Sequence, residues 1–250
     1  MKSQRFGLVF LVLLGIGLAL GPAASIASAS STTVTVYGSS NPFLSGMPNG
    51  SLCCNGDSAP AESPVLVTGI PLTAGSALTF TNVIGSVSYA GGTPTDPPDG
   101  NLGLLITTSA YEGGNQSPNN IAGFINVPVD ALVGVFLGPG LPTSYPAPAS
   151  IDFGIVGLNF NTLSPLLQQT FFIGDGLTGN GSGAVQQFVV PAGATQLYLG
   201  SVDGFGWYNN SGSFSVTVNA LSAVPEPSTL FLLGTGLLGA VGVIRRKIIL

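Results

Sequence analysis

The chain predicts an all-β fold, a β-sandwich of jelly-roll or galactose-binding-like type, on three observations. Short β-rich runs recur from Thr32 to Val218, glycine and proline punctuate them throughout (37 and 19 in the chain), and no stretch carries a convincing helical period. The jelly-roll connection follows from the class, not from the pattern itself. About 190 residues between the two ends suffice for one sizeable core, and no break in composition divides them.

The N-terminal element is a signal peptide over residues 1–29. Lys2 and Arg5 precede the apolar run Phe6 to Leu20, and Ala27-Ser28-Ala29 offers a small-residue cleavage site. A retained membrane anchor is the alternative, and the shortness of the run favours removal.

The ectodomain, residues 30–221, carries ten expected strands. They are TTVTVY near Val34, VLVTG near Val65, ALTFTNV near Leu78, GSVSY near Val87 and GLLITT near Leu104. ALVGVFLG near Val133, TFFIG near Phe171, AVQQFVV near Phe188, TQLYLG near Leu197 and SFSVTV near Val216 follow. Two long polar loops stand out, Tyr89 to Asn101 and Tyr111 to Asn120, and loops on a rigid scaffold are where binding residues concentrate. Cys53 and Cys54 are adjacent, so a bond between them lies outside ordinary disulfide geometry; reduced thiols and an intermolecular bridge are the alternatives.

The last element spans residues 222–250: a linker at 222–228, an apolar helix at 229–244 and a basic cluster of Arg245, Arg246 and Lys247. Pro225 and Pro227 preclude a continuous helix upstream. About 15 apolar residues rise about 23 Å, marginal against a hydrocarbon core of about 30 Å. The three cations hold the C-terminus on the cytoplasmic side, leaving the ectodomain outside the inner membrane. Val224, Pro225, Glu226, Pro227, Ser228 and Thr229, followed by the span and the arginines, resemble the PEP-CTERM sorting tail of Gram-negative bacteria. The resemblance implies an exosortase-type enzyme that recognises Pro225-Glu226-Pro227, removes the span and releases or attaches the protein at the surface. A plain single-span anchor is the alternative. Such a tail is an address and leaves the role of the cargo open.

Charge narrows that role. All five Lys and Arg lie at positions 2, 5, 245, 246 and 247, and the chain has no histidine, so the ectodomain holds nine carboxylates and no cationic side chain. Nucleic acid is excluded as a partner, because phosphate contacts need lysine or arginine. Serine and cysteine nucleophiles lack a histidine or lysine base, and zinc of the His and Cys type lacks ligands, so the reading is non-enzymatic. Oxygen chemistry remains, and hard oxygen donors favour Ca2+.

The loop DGFGWYNNSGSFSV, from Asp203 to Val216, offers the best oxygen set. Asp203, Asn209 and Asn210 bring one carboxylate and two amides into one loop, while Trp207 and Tyr208 add aromatic faces for a sugar ring. An ordinary turn between two strands is the alternative. The Asp, the spacer, the two consecutive Asn and the Ser-Gly-Ser-Phe-Ser-Val entry to the last strand resemble the PA-I-like calcium-dependent galactophilic lectins. Val67 to Phe80 looks like the family's strand entry, and Tyr89 follows a comparable strand.

The resemblance implies calcium held by the side chains of Asp203, Asn209 and Asn210 and by backbone oxygens of Tyr89 and of Gly206 or Trp207. The ion's remaining ligands would be two vicinal sugar hydroxyls. Two departures bear on selectivity: the spacing from Asp203 to Asn209 is one residue shorter than the family's, and the sugar-contacting histidine is missing. The expected protein is thus an exported, calcium-dependent binder of exopolysaccharide or cell-surface glycan. A structural or adhesive matrix protein is the second reading. A glycoside hydrolase using Asp96 or Asp99 with Asp203 is the third.

Overall fold

The computed structural model describes residues 30–221, so the signal peptide and the sorting tail, with both apolar runs, lie outside the described residues. Among the described residues no helix is long and apolar enough to cross a membrane. They are mostly β, and their helical segments are single turns of three or four residues. The first strands are β1 (Ser30–Tyr37), β2 (Leu52–Cys53), β3 (Asp57–Ser58), β4 (Val65–Leu66) and β5 (Ala77–Ser88). Next come β6 (Asn101–Ile106), β7 (Val127–Val129), β8 (Leu132–Leu137), β9 (Thr162–Leu163) and β10 (Thr170–Phe172). The last are β11 (Leu177–Gly179), β12 (Ser182–Val185), β13 (Gln187–Val189), β14 (Gln196–Ser201) and β15 (Ser211–Leu221).

The largest sheet has the order β1-β15-β5-β13-β9, the second β10-β8-β14-β4, and three two-stranded ribbons complete the set. In β15 the buried residues are Phe214, Val216, Val218 and Ala220, a strict alternation that turns one face inward. That face meets Leu132, Phe136, Phe171, Leu197 and Leu199 of the second sheet in one apolar cluster with Phe80 and Phe188. All six residues of β8 are buried. Its other face, Val133, Val135 and Leu137, joins a second cluster with Phe43, Leu44, Phe124 and Trp207 from loops and 3-10 turns. A strand covered on both sides needs a continuous apolar run, and LVGVFL supplies one.

Two sequence expectations change in detail. The strands expected near Leu78 and Val87 are one strand, β5, whose pairing to β15 shifts register between Ser215 and Thr217. Asn82 and Val83 together face Val216 there, a β-bulge that reads in the sequence as a break. Cys53 and Cys54 are joined to each other, in place of the reduced or intermolecular states expected from their adjacency.

Candidate functional site: a carboxylate-rich cleft at the β14–β15 loop

The loop between β14 and β15 is pinned from below. Asp57, wholly buried, accepts the backbone N–H of Trp207 (2.9 Å) and of Tyr208 (3.0 Å) as well as the Asn41 amide (3.0 Å). The Trp207 indole N–H donates to the Ser201 carbonyl at 2.9 Å, and its ring meets Phe43 edge-on at 5.8 Å. Trp207 is 1 % exposed, so its ring is core and offers no face to a sugar, contrary to the expectation from sequence. The exposed aromatics of this loop are its neighbours Phe205 and Tyr208.

Above that foundation, Asp203, Asn209, Tyr208 and Gly206 line one cleft of about 180 Å³ with Tyr89. Tyr89 arrives because β5 pairs with β15 as far as Ser88 opposite Ser211, and Ser211 Oγ donates to the Gly92 carbonyl at 2.9 Å. Asn55, next to the Cys53–Cys54 bond and in a left-handed conformation (φ 58°), lines the cleft as well. Glycine at 204 and 206 lets the two tyrosine rings lie close to the backbone: a Cβ would lie 3.0 Å from the Tyr111 ring at the first and 2.9 Å from the Tyr208 ring at the second, displacing those exposed rings. Asn210 sits apart from the cleft lining. Its amide donates to the Gly38 carbonyl at 3.0 Å, and its Oδ1 is buried without a partner.

Electrostatics single out this corner. Asp203 accepts N–H bonds from Gly204 and Phe205, yet burial pushes its carboxyl up to about 6, with the negative charge of Asp57 adding to the rise. Asp130 is wholly buried and in a left-handed conformation (φ 67°). Burial, the side-chain hydrogen bond to Asp96 and the charges of Asp96 and Asp203 push it up to about 8, although the Tyr89 N–H at 3.1 Å pulls the other way. Burial also raises Glu112, helped by the charges of Asp57 and Asp203. Among the described residues six buried side-chain oxygens have no hydrogen-bond partner. Three of them belong to Glu112, Asp130 and Asn210, all neighbours of Asp203, and the Asp130 oxygen is without a partner only while Asp130 and Asp96 are both ionised, since a proton between them makes the bond. Buried oxygens without donors are costly, so their concentration at one place calls for a donor or a cation.

Among the described residues no three His, Cys, Asp or Glu side chains converge closely enough to hold a metal by themselves. A cation here therefore depends on amide and carbonyl oxygens beside the carboxylates. Asp130 and Glu112 are absent from the residues picked from sequence. The signal for Asp130 is a charge embedded in the apolar run VPVDALVGVFL; Glu112 belongs to the polar loop Tyr111 to Asn120. Asp99 lines a different cavity, so the Asp99–Asp203 pair considered for hydrolysis does not share a site.

No curated protein and no solved structure matches the chain, so the lectin-like resemblance of the ectodomain has no support from relatives. A family model does match the tail: residues 223–247 fit the PEP-CTERM protein-sorting motif. That span includes Val224, Pro225, Glu226, Pro227 and the basic residues Arg245, Arg246 and Lys247, whose structure lies outside the described residues. The motif identifies the chain as an exported surface protein processed by an exosortase.

Proposed function

We propose that the ectodomain is a non-catalytic, calcium-dependent binder of a neutral glycan, with the two larger sheets as the layers of a sandwich and the cleft at one end. One observation carries this reading: of the six unpartnered buried oxygens among the described residues, three belong to side chains that interact with Asp203, in a domain without Lys, Arg or His. A divalent cation is the complement such a set lacks, because no side chain of the domain supplies positive charge. Asp203 and Asn209 are the side-chain donors at the cleft, Tyr89 and Gly206 the backbone donors, and Asn210 the buried oxygen behind them. Phe205 and Tyr208 then present exposed rings to the C–H face of a sugar. Exopolysaccharide or cell-surface glycan suits a protein sorted to the surface.

The test is chelation on a polysaccharide resin. Bound protein is expected to elute with EGTA and to rebind when Ca2+ is restored. Retention under chelator rejects the metal-bridged mode, and no binding in either state rejects the glycan.

A further inference from the structure

We propose that an apolar groove bridging the two larger sheets, at the end of the domain where the chain leaves for its sorting tail, docks on the lipid bilayer that holds the tail before processing. The groove encloses about 620 Å³. Pro139, Tyr145, Pro146, Leu166, Leu167 and Pro191 wall it, and no charged residue lines it. Its one amide side chain, Gln168, is occupied, donating to the carbonyls of Asn120 (2.7 Å) and Pro142 (2.9 Å). Tyr145 and Leu166 are exposed, as is Leu141 beside Pro139 and Tyr145. A domain with nine carboxylates and no cationic side chain thus keeps this surface free of charge.

Strand register fixes where the groove lies. Leu221, at the end of β15, faces Ala77 of β5, and Val189 of β13 faces Ala77 from the other side, so the three form one row across the largest sheet. Ser30, the first residue of β1, pairs with Ala220 beside that row. From Val189 the chain passes Pro191, Ala192 and Gly193 in the groove wall and enters the second sheet at Gln196, opposite Leu137, after which Gly138 and Pro139 continue the wall. Both ends of the described chain therefore leave the domain on the side of the groove. The Asp203 cleft lies at the opposite end, where β15 begins at Ser211 opposite Ser88, roughly 35 Å along the strands from Leu221.

Chain length supplies the occupant. The linker 222–228 spans at most about 25 Å when fully extended, and the apolar run follows it at once. The groove wall begins two strand spacings, about 10 Å, from Leu221, so it stays within reach of the bilayer for as long as the tail is uncut. Tethering gives a high local concentration, and modest apolar contact then suffices. Leucine, proline and tyrosine without charge suit the interfacial zone, where tyrosine rings concentrate, and the carboxylates that an anionic lipid surface repels stand outside the wall. Docked in this way, the domain turns the Asp203 cleft away from the membrane, whatever the cleft binds.

The experiment places the full-length chain, one per disc, in phosphatidylcholine nanodiscs and reads a nitroxide at Leu166→Cys or at Tyr208→Cys. Cys53 and Cys54 are bonded to each other and leave the label to the new thiol. Oxygen, which concentrates in the bilayer, is expected to relax the label at position 166, and an aqueous neutral nickel chelate to lose access to it. The label at position 208 is expected to behave in the opposite way. Leu141→Glu combined with Tyr145→Glu is expected to return the label at 166 to the chelate. Equal chelate access at 166 and 208 overturns the proposal. Shielding at 166 from both reagents marks protein, the chain's own tail included, as the cover and overturns it too, as does shielding that the double substitution leaves intact. Should Leu166→Cys fail to fold, Pro139→Cys on the same wall carries the label.

Discussion

Asp203 and Asp99 are both buried carboxylates in a domain without cationic side chains, yet their surroundings differ. Asp203 has company: the charge of Asp57 raises the carboxyls of Asp203 and Glu112, that of Asp203 raises those of Glu112 and Asp130, and Glu112, Asp130 and Asn210 each carry a buried oxygen without a donor. Asp99 has only one acidic neighbour, Asp175, whose oxygens accept two backbone N–H groups, and its cavity is lined by leucines, a phenylalanine and two asparagines. Many oxygens in one place suit an inorganic divalent ion; a lone carboxyl sealed by its neighbours is pushed towards its neutral form. The difference shows that the chemistry of a buried acid is set by what crowds it, since the residue type is the same.

The comparison breaks first at the foundation of the Asp203 cleft. Asp57→Ala strands the Trp207 and Tyr208 N–H groups and the Asn41 amide, a loss of about 3 kcal/mol. In a domain of this size that lowers Tm by roughly 6 to 12 °C, readable by calorimetry. Asp99→Asn keeps the hydrogen bond to the Asp175 N–H through its carbonyl oxygen and is expected to cost much less. A Tm for Asp57→Ala equal to the parent's contradicts the assignment of Asp57 as the anchor.

A second difference lies in pH. Asp130 at about 8 and Asp203 at about 6 stand above their unfolded values, so the folded chain holds protons that the unfolded chain has released. That contribution to stability is complete below about pH 4 and is lost progressively as the pH rises to about 8. The calcium-free chain is therefore expected to melt lower at pH 8 than at pH 5, and Asp130→Asn to flatten the profile. A Tm that climbs over this interval, in parent and variant alike, contradicts the shifts. Any fall contributed by Asp99, also raised by burial, persists in Asp130→Asn and gives the background against which the variant is read.

The smallest expected effect is at the rim. Tyr208→Ala and Phe205→Ala remove exposed rings and are expected to change stability by less than about 0.5 kcal/mol. Calcium affinity stays the same while retention on polysaccharide drops, as a column run with each variant will read. Undiminished retention in both variants places the glycan contact elsewhere.

Much of the fold was legible because alternation is a strong signal. Val34, Leu78, Val133, Leu197 and Val216 all fall within strands at the expected places. The ribbons β2–β3 and β11–β12 were not, being too short or too exposed to show a period. At the cleft, Asp203, Asn209, Tyr89, Gly206 and Tyr208 were chosen from sequence and line one cleft. Asn55 in the cleft lining, and Glu112 and Asp130 near Asp203, escape the sequence because the chain brings them from separate segments, and only register and packing reveal the meeting. Trp207 misled for a physical reason: an indole in a polar loop reads as a surface feature, but its N–H found the Ser201 carbonyl and its ring found Phe43. The polar loops Tyr89 to Asn101 and Tyr111 to Asn120 did deliver Tyr89, Asp96 and Glu112 to the neighbourhood of Asp203 and Asp130, which supports reading long loops as places where sites are assembled.

Calcium titration of the full-length chain in detergent, by calorimetry at about pH 7.5, where Asp203 is ionised, addresses the account most directly. One ion per chain is expected in the parent and in Asp99→Asn, and none at this site in Asp203→Ala. The absence of any calcium heat in the parent, or the same isotherm in parent and Asp203→Ala, contradicts it.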